Sequence, residues 1–210
     1  VLDNLTLQFN ELTVLDAGRT AGPGVLKNSL IKDNLSDALV VIRGGSLFSL
    51  ADNTIIGTES SHAVFAEDVD RTSTLPNFGL PYVVGNMTVN NGATLTIEPG
   101  VIAKFRQNQT PNFRFKINGS LIALGTKTEP IIFTSYFDDL AGDSNGDGAA
   151  TSPAPGDWGE LFFEDSSATS TLEYLQVQYA WTGSTNFKIE SLFRFDFLIK
   201  NQLQTPFLTR

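Results

Sequence analysis

The chain has 210 residues, which is enough for one or two domains, and 41% hydrophobic with 18% charged residues suffice for a packed core. Its 14 Lys and Arg against 23 Asp and Glu give a formal net charge of −9, which argues against a nucleic-acid partner because basic residues supply most of the affinity for phosphate backbones. The lack of Cys and the single His exclude a disulfide framework, a thiolate metal site, a Cys nucleophile and a two-His metal site within one chain.

The longest aliphatic run, residues 38–42, is too short to span a bilayer. Because the chain opens with Val1 rather than Met, we expect a mature, processed or trimmed product.

The first 75 residues contain a repeat of about 25 residues. Residues 28–31 resemble residues 53–56, and residues 36–40 resemble residues 61–65, so two separate segments keep one offset of 25 without an insertion. The repeats consist of short apolar runs rich in Val, Ile, Leu, Phe and Thr, with Asn, Asp, Gly and Ser between them, and this pattern is typical of β-strands. A repeat of this length favours a parallel β-helix over a propeller, whose blades need about 40 residues.

We therefore predict an all-β chain that forms a right-handed parallel β-helix, a solenoid with coils of about 25 residues. In such a fold each strand pairs with the equivalent strand one coil later, and parallel connections are right-handed in nearly all proteins. The offset predicts that Ala38 stacks over Ala63. Asn28 and Asn53 either form a ladder of amide hydrogen bonds along the axis or act only as turn formers.

Residues 82–101 resemble a recurrent segment of bacterial secreted and cell-surface right-handed β-helix repeat proteins, in which Tyr-Val-Val is followed by Gly-Ala-Thr-Leu-Thr-Ile-Glu-Pro-Gly-Val. The likeness continues, in the family's order, through residues 119–123, 130–135, 143–148 and 155–159. It covers about half of the chain closely and the first 80 residues more loosely. The resemblance implies a pectin-lyase-like solenoid that is exported to the cell exterior, and it does not imply lyase activity.

The domain organisation that we expect is one parallel β-helix over residues 1–180, with a loop excursion at 138–157, followed by a C-terminal segment at 181–210. Within this last segment, apolar and charged residues alternate, which is typical of amphipathic strands. Because such an apolar face is unfavourable in water, the segment either caps the end of its own solenoid or docks on a neighbouring subunit. The candidate assembly residues are Phe187, Ile189, Phe193, Phe195, Phe197 and Ile199.

The excursion contains an acidic motif with the spacing of a calcium loop, in which alternate residues direct oxygen ligands at one centre. Gly148 permits the tight turn, whereas Ala154 stands where an EF-hand has Glu, so a bound ion depends on flanking acids. The expected ligands of a structural Ca²⁺ are Asp143, Asn145, Asp147, Asp157 and Asp139. The resemblance includes this motif, and the alternative is a solvated acidic turn.

Aromatic residues around the excursion have rings that are suited to stacking on sugars, and the candidate carbohydrate-binding residues are Trp158, Tyr136 and Trp181. For Trp158 the alternative is burial at a corner, because it follows Gly156 and Asp157 at the start of a strand. Residues 136–182 contain no Lys or Arg, so a basic residue reaches this region only from a neighbouring coil, for example Lys104. No pair of acids is singled out by its spacing, and the sequence therefore identifies no catalytic residues.

These observations favour a non-enzymatic structural or adhesive β-helix module, stabilised by calcium, that is secreted or displayed at the bacterial cell surface and assembles there. Its expected partners are copies of itself or other cell-surface proteins. The alternative function is a polysaccharide-binding or polysaccharide-cleaving module of the pectin-lyase-like kind. An open groove with clustered acids, a base and aromatic residues would distinguish the second function from the first.

Overall fold

The computed structural model describes residues 1–11, 15–17, 24–44, 48–57, 61–106, 114–140, 142–164 and 169–180. Within these residues the chain is all-β, with 20 strands and no helix. The first ten strands are β1 (Leu2–Asp3), β2 (Thr6–Gln8), β3 (Leu15–Ala17), β4 (Gly24–Lys27), β5 (Leu30–Lys32), β6 (Ala38–Arg43), β7 (Phe48–Ala51), β8 (Thr54–Ile55), β9 (His62–Ala66) and β10 (Ser73–Leu75). The other ten are β11 (Tyr82–Val84), β12 (Met87–Val89), β13 (Thr94–Ile97), β14 (Ile102–Phe105), β15 (Arg114–Ile117), β16 (Ser120–Leu124), β17 (Ile131–Ser135), β18 (Glu160–Phe163), β19 (Thr171–Glu173) and β20 (Leu175–Val177).

Strand pairing among the described residues is parallel throughout, and almost every strand pairs with the strand three positions later in the chain. One exception is β9, which pairs with β11, and an isolated parallel bridge from Val69 to Val89 takes the place of the intervening strand. The other exceptions are β7 and β8, which are the last strands of their sheets. We call each set of three successive strands a repeat. The prediction of an all-β chain with parallel strands is therefore confirmed.

One sheet runs through the whole described chain, in the order β20-β17-β14-β11-β9-β6-β3. The shorter sheets are β1-β4-β7, β2-β5-β8, β10-β13-β16-β19 and β12-β15-β18. Side chains from these sheets meet in one apolar cluster that extends from Leu26 to Leu175. The strands carry Val, Ile, Leu and Phe at their inward positions because buried parallel strands select branched and aromatic residues.

The register of residues 28–31 with residues 53–56 is shorter by one position than the sequence alignment predicts, since Leu30 pairs with Thr54 and Ile31 pairs with Ile55. The prediction that Ala38 stacks over Ala63 is wrong. Ala38 pairs with His62, whereas Ala63 pairs with Val40. A bulge between Ala38 and Val40 shifts the register within β6, because an extra residue in one strand leaves two residues opposite one.

Two corners of the chain recur once in each of the first repeats. At the first corner Asn4, Asn28 and Asp52 adopt the left-handed conformation, with φ of 54°, 49° and 52°. At the second corner Phe9 and Asp33 do so, with φ of 58° and 51°. Asn and Asp adopt this conformation more readily than other non-glycine residues because their short polar side chains bond locally. These residues therefore turn the chain at the same point of each repeat.

Successive repeats are joined at the corners by asparagine side chains. The Asn53 Oδ1 atom accepts a hydrogen bond from the Ser29 amide at 3.0 Å, and its Nδ2 donates to the Leu26 carbonyl at 2.8 Å. Asn34 makes the same two kinds of bond, to the Asn10 amide and the Leu7 carbonyl, at the second corner. Asn53 therefore bridges repeats, while Asn28 turns the chain and donates to Asp3, so of the two alternatives Asn28 follows that of a turn former.

A serine hydroxyl can supply the acceptor half of these asparagine contacts. The Ser29 hydroxyl accepts a hydrogen bond from the Leu5 amide at 3.1 Å, and the Ser170 hydroxyl accepts one from the Leu121 amide at 2.9 Å. Both hydroxyls satisfy an amide that belongs to the preceding repeat. An asparagine side chain also has a donor, which bonds to a backbone carbonyl of the preceding repeat.

We expect the substitution Asn53→Ala to lower the free energy of unfolding by about 2 kcal/mol, because it leaves the Ser29 amide and the Leu26 carbonyl without their partner. Asn53→Ser should cost less, because a hydroxyl at this position can still accept from the amide. Urea denaturation monitored by circular dichroism measures both changes. An equal decrease in the free energy of unfolding of the two variants would contradict separate contributions from the acceptor and the donor of Asn53.

Candidate functional site

The connection from β17 to β18 spans residues 136–159 and interrupts the repeat without disturbing the strand pairing. Before it, Ile102 pairs with Ile132. After it, Arg114 pairs with Glu160, so the chain between these two partners is much longer than in the other repeats. This connection contains the acidic motif, so we take it as the candidate site and call it the acidic loop.

The carboxylate of Asp143 organises the first half of the motif. Its oxygens accept hydrogen bonds from the amides of Gly146, Asp147 and Gly148 at 2.8, 3.1 and 2.7 Å. Gly146 and Gly148 have φ of +71° and +63°, a conformation that other residue types adopt with strain. The glycines therefore allow the backbone to wrap around one carboxylate.

The carboxylate of Asp147 organises the second half in the same way. It accepts hydrogen bonds from the Ala150 and Thr151 amides at 2.9 and 3.0 Å, from the Thr151 hydroxyl, and from Asn145 Nδ2. These bonds stabilise the ionised form, and the one from the Thr151 hydroxyl contributes most to lowering the pKa of Asp147 below its ordinary value. The stabilisation is present at neutral pH and is lost as the pH falls through the lowered pKa.

The predicted calcium ligands do not converge on one centre in this arrangement. Asp143 and Asp147 face amide donors, and Asp157 accepts from the Ser135 hydroxyl at 2.6 Å and from the Ala154 amide at 2.9 Å. Among the described residues, no group of three or more His, Asp or Glu side chains could hold a metal ion. A calcium ion would therefore have to displace amide donors from these carboxylates, and calcium binding stays a prediction.

Lys104 supplies the positive charge of this site. The residue is 0% exposed, and its Nζ donates to the Gly142 carbonyl at 2.5 Å. Burial lowers the pKa of Lys104, and the carboxylates of Asp138, Asp139 and Asp143 partly offset this effect by attracting the ammonium. The sequence prediction did not include Lys104 in the site, although it named this residue as a base that could arrive from a neighbouring coil.

A shallow cleft lies beside this lysine contact, and its lining residues are Asp139, Gly142, Asp143, Gly148 and Ala149. The loop is also tied to the sheet by hydroxyl groups on β17. Thr134 donates to Asp138 at 2.5 Å, and Ser135 donates to Asp157. The polar groups of the site thus fasten the loop to two adjacent strands, β14 and β17.

Trp158 is buried, with 1% exposure, and the prediction that it binds carbohydrate is therefore wrong. Its ring stacks on Phe105 with centroids 4.3 Å apart and an interplanar angle of 14°. Its Nε1 donates to the Gln178 carbonyl at 2.7 Å. Both the face of the indole and its polar atom are used inside the protein, which agrees with the alternative of burial at a corner.

Tyr136 is half-buried at the start of the acidic loop. The Arg106 guanidinium lies 5.3 Å from the centroid of its ring, and the Phe137 ring centroid is 6.0 Å away. The ring therefore packs partly against protein groups. Trp181 and the candidate assembly residues between 187 and 199 lie outside the described residues.

Comparisons with protein-family models, curated proteins and solved structures give no match to this chain. A search of the described residues finds no helix with the length and apolar character needed to cross a membrane. The resemblance to secreted β-helix proteins therefore depends on the sequence segments quoted above.

We expect Thr151→Val to raise the pKa of Asp147 toward its ordinary value, because valine keeps the shape of threonine but cannot donate a hydrogen bond. The carboxyl carbon of Asp147, followed by NMR as a function of pH, measures this shift. Thr128→Val is the matched control, since Thr128 bonds to Thr126 in another turn and should leave Asp147 unchanged. An unaltered titration of Asp147 in Thr151→Val would show that the hydroxyl does not set its pKa.

Proposed function

We propose that residues 1–180 form one right-handed parallel β-helix, with residues 138–157 as a loop excursion, that serves as a non-enzymatic structural or adhesive module outside the cell. The observation that carries the proposal is the parallel pairing of strands three positions apart, which recurs along the described residues except at β7, β8 and β9. A chain that returns to the same sheet after every third strand advances by one strand spacing per repeat. At about 4.8 Å per strand, the seven-stranded sheet extends about 29 Å along such an axis.

The distribution of side chains supports a structural role. The apolar cluster is continuous along the described chain, and the corner amides and hydroxyls are used to join one repeat to the next. Stacked repeats of this kind make a rod whose stability is a sum of repeat and interface contributions. The extracellular location is supported by the resemblance of residues 82–159 to secreted and cell-surface proteins.

Self-association is supported by the residue pattern of the C-terminal segment. The alternating residues of the C-terminal segment have the pattern of a strand with one apolar face, so copies of the chain are the proposed partners.

We expect the deletion of residues 29–52 to yield a folded, shorter protein. It removes β5, β6 and β7, one strand from each of three sheets, and joins Asn28 to Asn53, the residue that follows Asp52 at the equivalent corner. The far-UV spectrum and a cooperative unfolding transition should be retained. Small-angle X-ray scattering should show a rod shorter by about one strand spacing, roughly 4.8 Å.

The matched control is the deletion of residues 29–40, which removes half a repeat and places the remaining corners out of register. We expect this variant to lose cooperative unfolding because its inward positions no longer meet the apolar cluster. If the two deletions unfold the protein to the same extent, the β-helix arrangement is wrong.

We expect the full chain to form assemblies that are lost when residues 185–210 are removed, because the apolar face of the C-terminal segment is then absent. Light scattering measures the mass of both proteins. Equal masses would exclude assembly through this segment, and equal masses with lower stability of the truncated chain would support a role as a cap.

The alternative of a polysaccharide module is favoured by the half-buried ring of Tyr136 at the start of the acidic loop, which also carries the cleft. Incubation of the full chain with uronate and neutral polysaccharides tests it. Release of reducing or unsaturated ends would replace the structural proposal with a polysaccharide-cleaving function. Binding that Tyr136→Ala abolishes, without release of products, would support a carbohydrate-binding module.

A further inference from the structure

We propose that the ammonium of Lys104 is the resident cation of the acidic loop and holds this loop against the sheet without a metal ion. The inference concerns how the excursion is attached to the sheet, so it does not depend on the role of the module outside the cell. It assigns to one lysine the task that the motif spacing suggested for calcium.

The position of Lys104 on its strand shows what covers it. Its neighbours Ala103 and Phe105 belong to the apolar cluster, so Lys104 projects from the opposite face of β14. On that face its register partners are Val83 on β11 and Thr134 on β17. A lysine on the outer face of a sheet is ordinarily exposed, and here the acidic loop covers it.

The contacts of the ammonium come from this covering loop. Gly142 accepts a hydrogen bond from Nζ, and the carboxylates of Asp138, Asp139 and Asp143 attract the charge. A buried ammonium is tolerated when carboxylates and carbonyls compensate for its lost hydration, and this loop supplies both. Removal of the charge would leave the Gly142 carbonyl without its donor and would remove the positive charge that Asp138, Asp139 and Asp143 attract.

The same charge disfavours a divalent ion at this place. A calcium ion near Asp139 and Asp143 would lie close to the positive charge of Lys104, which repels it. The oxygens of Asp143 also accept hydrogen bonds from three backbone amides of the motif. The loop is therefore held in place by backbone amides of the motif and by the ammonium of Lys104.

The first experiment uses the unmodified protein. Hydrogen–deuterium exchange of residues 138–157 is measured by mass spectrometry in EDTA and in excess CaCl₂, and calorimetry follows the addition of calcium. We expect the same exchange rates in both solutions and no heat of binding. Slower exchange in CaCl₂, or a saturable heat, would overturn the proposal and support calcium as the resident cation.

The second experiment replaces Lys104 with methionine, which largely preserves the length of the side chain and removes its charge. We expect the amides of Gly146, Asp147 and Gly148 to exchange at least about tenfold faster, because the loop then loses the hydrogen bond from Lys104 to the Gly142 carbonyl that ties it to β14. The matched control is Lys116→Met, since Lys116 lies on β15, is partly exposed and pairs with Glu164 at 2.7 Å. Exchange in the acidic loop should be unchanged in this control.

Added CaCl₂ should slow the exchange of the loop in Lys104→Met but not in the unmodified protein, because the three carboxylates then lack their cation. Wild-type exchange rates in Lys104→Met would overturn the proposal. If Lys104→Met fails to fold, as judged by circular dichroism, the comparison of EDTA with CaCl₂ in the unmodified protein still decides between lysine and calcium.

Discussion

The structure depends on one constraint, the parallel backbone pairing of each strand with its equivalent in the next repeat. Every connection has to return the chain to the same register, whatever its length. The bulge in β6 and the acidic loop before β18 both add residues, and in both cases the strands beyond them pair normally. Hydrogen bonds between repeats and packing in the apolar cluster stabilise the correct register, because a slip by one residue would turn inward side chains outward.

The constraint also determines where polar groups can be buried. Backbone amides and carbonyls at the corners and strand ends each require a partner when they are covered. Asn53 meets this requirement with an acceptor and a donor, and Ser170 meets it with a hydroxyl alone. On the outer face of the sheet, Lys104 is covered by the acidic loop and is compensated there by carboxylates and a carbonyl. These buried polar groups thus lie where a corner or a loop supplies their partners.

In such a scaffold a loop can be inserted between two strands while the flanking strands keep their pairing. The acidic loop organises its own backbone around Asp143 and Asp147 and uses β14 and β17 only as an anchoring surface. This separation agrees with the proposed role as a structural module, because exposed loops can change while the stacked repeats are preserved. It also explains why a motif with the spacing of calcium ligands can be closed by amides and a lysine.

The sequence by itself determined the all-β class, the parallel repeat and the residue types at the corners, because strand propensity, turn formation and repeat length are local properties. It missed the pairing of Ala38 with His62, since aligning similar segments cannot reveal the bulge between Ala38 and Val40. Only the tertiary structure decided that the side chains of Trp158 and Lys104 are buried. Trp158 is buried on Phe105, which lies far earlier in the chain, and Lys104 on β14 is covered by a loop that follows β17, three strands later. Burial of this kind depends on which distant segments the fold brings together, and no local pattern contains that information.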